Sequence, residues 1–515
     1  MPARRRLSLI LPTLIILLAG LALAAGRAGA VDWRARVDPA LLAAVDDPGP
    51  VEFIILLAQQ ADLSPAAQLP GKEAKGAFVF QRLRQTAAAT QQDLLSRLAA
   101  QDVDYQSFWI VNAVLVRGGG AILPDLARLP EVAYIYANPA VALAPPQAAP
   151  AISPADTAAD VAWNVQLIGA PELWAMGADG RQVVIGGQDT GYDWQHPALK
   201  NQYRGWDGLS ADHDYNWHDA IHNSSGPCGF DSAEPCDDHG HGTHTMGTMV
   251  GDDGGANKIG VAPGARWIGC RNMDRGVGTP ATYIECFQWF VAPTRIDDTD
   301  PDPSKAPQVI NNSWSCPPSE GCTDPDVLRQ AVENVRAAGI LTVQSAGNSG
   351  YLGCGSINTP AAIYEASFTV GATNISDHIA SFSSRGPVSV DDSGRLKPDV
   401  VAPGVSVRSS TLGNGYTTLS GTSMAGPHVA GLAALLISGH PDLAGDVDRL
   451  EQAISQSAVP LLSAQSCGDW PGDQSPNAVY GYGRIDAPAA VRFLVSPRFW
   501  LPLVLSDGSP SLATP

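Results

Sequence analysis

The chain has 515 residues and a formal net charge of −19, with 45% apolar and 16% charged residues. That length exceeds one ordinary core, and 52 Gly with 41 Pro describe a turn-rich globular chain, not a coiled coil or a disordered one. The acidic balance argues against nucleic acid as a partner, because phosphate binding needs a surplus of Lys and Arg.

Residues 1–30 read as a secretory signal peptide. Arg4, Arg5 and Arg6 open it, an apolar run from Leu7 to Ala25 follows, and Ala28-Gly29-Ala30 offers a small-residue cleavage site that releases Val31. The run is long for a signal, so an uncleaved anchor is the alternative. The small residues directly after it favour cleavage, which leaves no stable membrane span. All eight cysteines, Cys228, Cys236, Cys270, Cys286, Cys316, Cys322, Cys354 and Cys467, follow the export signal. Oxidising surroundings make disulfides the leading expectation. Proximity pairs Cys228 with Cys236 and Cys316 with Cys322; the remaining connectivity stays open.

Residues 31–145 are expected to form an N-terminal domain with an α+β core at 51–138. Residues 51–57 read as a strand and Leu94, Leu95 and Leu98 as one face of a helix. A second strand is expected over 108–116, a short helix near 123–129, and a strand over 132–136. By pattern alone this unit reads as an independent binding domain. The Ala- and Pro-rich stretch 146–161 reads as a linker carrying a maturation site, and 491–515 as a C-terminal tail.

From residue 162 to 490 short β-runs alternate with helices. Strands are expected at 183–185, 267–269, 309–310, 341–343 and 368–370, with a helix through Val327, Leu328, Ala331, Val332 and Val335 ending at Gly339. This alternation predicts an α/β fold with a parallel, doubly wound sheet covered on both faces. Such sheets carry their sites at the carboxyl ends of strands.

Three segments place a reactive residue at the end or start of an element. The strand at 183–185 runs into Asp189-Thr190-Gly191. Asp238-His239-Gly240-His241-Gly242-Thr243-His244 precedes a run suited to a buried helix. Gly421-Thr422-Ser423-Met424-Ala425 opens a helix continuing through Leu432, Leu435 and Leu436, which puts Ser423 at a helix N-terminus. A serine needs a base to take its proton, a histidine serves near neutral pH, and a carboxylate fixes the imidazole tautomer. Asn348, after the strand at 341–343, is suited to donate to an oxyanion. A metal cluster of His239, His241 and His244 is the weaker reading, because no H-E-x-x-H is present.

These blocks resemble the subtilisin-like serine proteases, or subtilases, whose order is Asp, then His, then Ser. Trp163-Asn164, His196-Pro197-Ala198-Leu199, Ile259-Gly260-Val261-Ala262-Pro263-Gly264 and Asn311-Asn312-Ser313-Trp314 extend the likeness across 162–490, nearest to the bacillopeptidase F-like members. The resemblance implies a fold of the subtilisin type and Asp189, His241 and Ser423 as catalytic triad. It also implies Asn348 as oxyanion donor, with Ser313, Trp314, Ser315 and Ser345, Ala346, Gly347 flanking substrate as edge strands. Residues 51–138 resemble the family's prodomain, through Ile110-Val111-Asn112-Ala113 and Leu129-Pro130-Glu131-Val132. That implies an intramolecular inhibitor and folding aid. A cis Thr359-Pro360 peptide is also implied, against the trans default. Two departures stand out. Gln188 replaces an aliphatic residue and needs hydrogen-bond partners if buried. Ala198 replaces a calcium-binding Asp and 251–258 is short, so that calcium site is not expected. No cofactor is required for the chemistry. A structural calcium stays unplaced; Asp297-Asp298-Thr299-Asp300 has the oxygen ligands but reads first as a solvated loop.

The function expected is a secreted serine endopeptidase made as a zymogen, acting on proteins and peptides. The alternative is an inactive exported binding protein on the same scaffold, with Gln188 as a mark of decay.

Overall fold

A computed structural model describes residues 32–47, 49–143, 147–148 and 160–496. The stretch expected as a signal peptide, most of the expected linker and the residues from 497 onward lie outside the described residues.

The N-terminal domain is an antiparallel sheet of β1 (Pro50–Leu57), β2 (Asp104–Phe108), β3 (Ala113–Gly119) and β4 (Val132–Ala137), in the order β2-β3-β1-β4. Helices α1 (Gly71–Thr90) and α2 (Gln92–Ala100) accompany it. Phe53, Ile55 and Leu57 of β1 pack with Leu94 and Leu98 of α2. Ile54, facing the other way, joins Val79 and Leu83 of α1 in a core that continues into the second domain. With both faces covered, β1 is apolar almost throughout, which is why its sequence does not alternate.

The strand expected over 108–116 is two strands. Asn112, at φ +43°, turns the chain between them; Asn tolerates that left-handed region better than most residues. The turn was hidden because Ile110 and Val111 are apolar for another reason: they pack into the second domain.

Two short strands, β5 (Val141–Ala142) and β6 (Gln147–Ala148), lead away from this domain. The second domain is built on a seven-stranded parallel sheet: β7 (Val184–Asp189), β8 (Trp217–Asp219), β9 (Arg266–Arg271), β12 (Val309–Asn312), β13 (Leu341–Ser345), β14 (Phe368–Thr373) and β15 (Val400–Pro403). Its order is β15-β14-β13-β12-β7-β9-β8. Hairpins β10 (Met273–Asp274) with β11 (Val277–Gly278), and β16 (Val407–Thr411) with β17 (Gly415–Ser420), stand apart from it.

Helices α3 (His241–Val250) and α6 (Thr422–Gly439) pack against Ile185, Val309, Leu341 and Val343 on one face. On the other, α4 (Pro280–Val291) and α5 (Arg329–Ala337) cover Ile268 and Ile310. Val309 and Ile310, neighbours in β12, thus serve opposite cores, as the two-residue period of a strand requires. The parallel, doubly covered sheet is the α/β architecture expected from the alternation of elements.

Four disulfides are present: Cys228–Cys236, Cys270–Cys286, Cys316–Cys322 and Cys354–Cys467. The two pairs expected from proximity are among them. Among the described residues the cis prolyl bonds are Gly386–Pro387, Lys397–Pro398 and Ser475–Pro476. Thr359–Pro360 is therefore trans, a correction to the expectation drawn from family resemblance.

Candidate active site

Asp189 is the last residue of β7 and His241 the first of α3, so the end of one element faces the start of another. His241 Nδ1 and Asp189 Oδ1 lie 2.7 Å apart, and both side chains are buried. Asp189 also accepts from the Thr190 N–H at 2.8 Å and the Thr245 hydroxyl at 3.3 Å. The loop before His241 is fixed by Asp237, which accepts from the N–H groups of His239, Gly240 and Thr243 and from the hydroxyls of Thr190 and Thr243. A carboxylate there satisfies the free N–H groups of a helix start and complements its dipole.

Ser423 is the second residue of α6 and is buried. Its hydroxyl donates to the Ser313 carbonyl at 3.0 Å, and the Ser313 hydroxyl donates to the Ser423 carbonyl at 3.0 Å. Among the described residues no hydrogen bond joins Ser423 to His241. Asn348 is half-buried beside them. Its Oδ1 accepts from the Thr422 N–H at 2.9 Å and the Thr422 hydroxyl at 3.0 Å. These two donors settle the amide orientation and leave Nδ2 free to donate.

Ser313-Trp314-Ser315 and Ser345-Ala346-Gly347 leave the carboxyl ends of β12 and β13, which are central strands. Trp314 is buried and stacked on Tyr283, with ring centroids 4.0 Å apart. A strand edge that takes an added strand is β11, which the sequence reading missed. β5 pairs with it antiparallel, Val141 opposite Gly278 and Ala142 opposite Val277, and the Leu143 N–H donates to the Gly276 carbonyl at 2.7 Å. Glu320 accepts from the Ala142 N–H at 2.9 Å. Farther along the chain, Ala148 and Gln147 of β6 pair with Leu419 and Ser420 of β17, just before Gly421. A signal for β11 was present in Gly276-Val277-Gly278, two glycines bracketing one exposed residue after a strand.

The N-terminal domain docks on α4 and α5. Gln288 accepts from the Trp109 and Ile110 N–H groups at 2.7 and 3.2 Å, and Asn334 donates to the Ile110 carbonyl. Gln106 donates to Glu285 at 2.6 Å, and Glu285 is held by His218 at 2.8 Å and His222 at 3.0 Å. His222 thus belongs to an ion-pair network with Glu285 and Asp231. The Glu285 hydrogen bond pushes its imidazole up to about 9. Glu285 is pushed upward by burial, and the two imidazoles overcome this to hold it at about 2. Among the described residues no group of His, Cys, Asp or Glu side chains is arranged to hold a metal ion.

Gln188 is fully partnered: it donates to Asn312 at 2.7 Å and accepts from Asn272 at 2.9 Å. Asn312 donates onward to the Val343 carbonyl at 2.9 Å. This amide row runs across the carboxyl ends of the sheet, so a polar residue at 188 fits the packing.

The Subtilase family profile matches residues 180–483. The chain belongs to the subtilase family. Bacillopeptidase F of Bacillus subtilis (strain 168) is 38% identical over 434 residues, 81% of this chain but 28% of that protein. The chain thus spans little more than a quarter of that relative's length. Subtilisin DY of Bacillus licheniformis is 32% identical over 333 residues, covering 64% of this chain and 99% of the subtilisin. The thermostable alkaline protease of Halalkalibacterium halodurans is 34% identical over 248 residues, 48% of this chain and 60% of that protein. Subtilases are serine endopeptidases that need no cofactor for catalysis, and the paired Asp189 and His241 lie within the matched span.

Proposed function

We propose that the chain is a secreted serine endopeptidase, made as a zymogen and inhibited by its own N-terminal domain. The observation that carries this reading is the Asp189–His241 hydrogen bond at the carboxyl end of β7, with Ser423 at the first turn of α6. In the proposed reaction the Ser423 oxygen attacks the scissile carbonyl carbon while His241 Nε2 takes its proton. Asp189 holds the Nδ1–H and stabilises the imidazolium. The oxyanion accepts from Asn348 Nδ2 and the Ser423 N–H. His241 then returns the proton to the leaving amine as the C–N bond breaks, and water releases the acyl group by the same steps.

Ser423 must first turn from the Ser313 carbonyl toward His241. That resting position, with β5 laid along β11, supports a zymogen in which 141–143 occupy the place of a substrate strand. A protein substrate adds a strand to β11 in the same way, by backbone pairing. Ser313, Trp314, Ser315, Ser345, Ala346 and Gly347 form the opposite walls in this reading. The disulfides support export, and among the described residues no helix is long and apolar enough to cross a membrane. The inactive-scaffold alternative loses its motive with the full partnering of Gln188.

Casein hydrolysis by the full chain tests the proposal. Ser423→Ala should lower turnover by about 10⁶-fold, the order known for such a change in a subtilisin, and should leave the 31–145 domain attached. Undiminished hydrolysis by the variant would overturn the role given to Ser423.

A further inference from the structure

Arg271, the last residue of β9, sits opposite Asp189 in the β7–β9 register, and its guanidinium is fully buried. It meets three carboxylates from three segments: Asp219 at the end of β8 at 3.2 Å, Asp238 in the loop before His241 at 2.6 Å, and Asp274 in β10 at 2.6 Å. It also donates to the Gly229 carbonyl at 3.0 Å. The other oxygen of Asp238 accepts from the Arg275 N–H at 2.9 Å, and Ser224 donates to Asp274 at 2.7 Å. The hairpin carrying β11 is therefore tied at two successive residues to the loop that presents His241. Next along that loop, Asp237 caps α3.

Burying one cation among three carboxylates is a poor route to stability, since apolar residues of similar volume commonly do as well. What a guanidinium offers is a rigid planar fork with five donors, able to hold several acceptors in fixed relative positions; a lysine ammonium lacks that geometry.

We propose that Arg271 is a positioning residue: it keeps the substrate-pairing edge at Val277–Gly278 in register with the loop that aims His241. A substrate long enough to pair with β11 is then delivered with its scissile carbonyl aligned to the catalytic residues. One too short to reach β11 gains nothing from the tie. This inference rests on the proposed protease reading and deepens it.

The test compares two substrates on the enzyme matured from the full chain: a blocked tetrapeptide anilide, whose residues reach β11, and a blocked single-residue ester, which does not. Arg271→Lys should raise KM for the tetrapeptide at least tenfold, while kcat/KM for the ester changes less than threefold. Asp274→Asn, which loosens only the hairpin's strut, should show the same split if Arg271→Lys fails to fold. Equal losses on both substrates, no loss in a folded variant, or failure of both variants to fold would overturn the positioning role. If the wild-type enzyme hydrolyses neither substrate, it is the protease reading that fails.

Discussion

Asn348 shows how one side chain acquires its orientation from a neighbour. Its carbonyl oxygen is taken by the two donors of Thr422, so its NH₂ is the part presented. Asn348→Ala should lower kcat by about 10²–10³-fold with little change in KM, the size of effect seen when one oxyanion donor is removed from a subtilisin. Steady-state kinetics on a peptide anilide would read the split. Two further imidazoles near the site are structural. His428 shares a hydrogen bond with Asn164 at 2.8 Å and donates Nδ1–H to the Met424 carbonyl at 2.9 Å; His244 reaches the Val407 carbonyl at 3.2 Å. Burial lowers His428 to about 4 and His244 to about 3. The unfolded chain binds protons at these positions near pH 6.5 and the folded chain does not. Stability is therefore complete above about pH 6.5 and falls as pH drops toward 4, by on the order of 1 kcal/mol per unit for each imidazole. His222 works in the opposite sense. Its folded value is raised, so its contribution is present below about pH 6.5 and is lost as pH rises toward 9. Thermal melts of Ser423→Ala across pH 4–10 should show both limbs, and His222→Gln should flatten the alkaline one.

At the level of elements, β7 is defined by what it omits. A Cβ at Gly187 would stand 2.4 Å from the Tyr192 hydroxyl and 3.0 Å from Met246, and one at Gly186 2.7 Å from the Phe290 ring. The strand that ends in Asp189 can lie between α3 and α4 only because these two positions carry no side chain. Gly187→Ala should cost about 1–3 kcal/mol through overpacking, measured by urea denaturation in the Ser423→Ala background; an unchanged midpoint would show that the neighbours yield freely. Elements were legible where one periodicity dominated. α5 was anticipated from Val327 through Val335, and its observed span is Arg329–Ala337. α1 was not anticipated, since its buried face is Lys72, Gly76, Val79, Leu83 and Ala87, of which only Val79 and Leu83 are strongly apolar. The turn at Asn112 was masked by apolar residues that serve the neighbouring domain.

Across the whole molecule the disulfides differ in what they close. Cys354–Cys467 spans 113 residues and Cys316–Cys322 only six. On loop-closure entropy alone, removing the long bridge should cost about 5 kcal/mol and the short one about 2 kcal/mol. Paired Cys→Ser variants compared by urea melts would check the order, and a larger loss from the short bridge would contradict it. The long bridge ties the segment just after Asn348 to residue 467, so its loss should also be felt near the site.

The sequence by itself determined the class of the protein: strand and helix periods, Asp189 at a strand end, His241 and Ser423 at helix starts, and the order of the three motifs. Those are local properties, fixed by residues adjacent in the chain. Only the tertiary structure decided that β11 is an edge that takes a strand, that Gln188 belongs to a row of amides, and that Arg271 gathers Asp219, Asp238 and Asp274. Such partners are distant in the chain, and a polar side chain carries no mark in the sequence of which distant group will satisfy it once water is excluded.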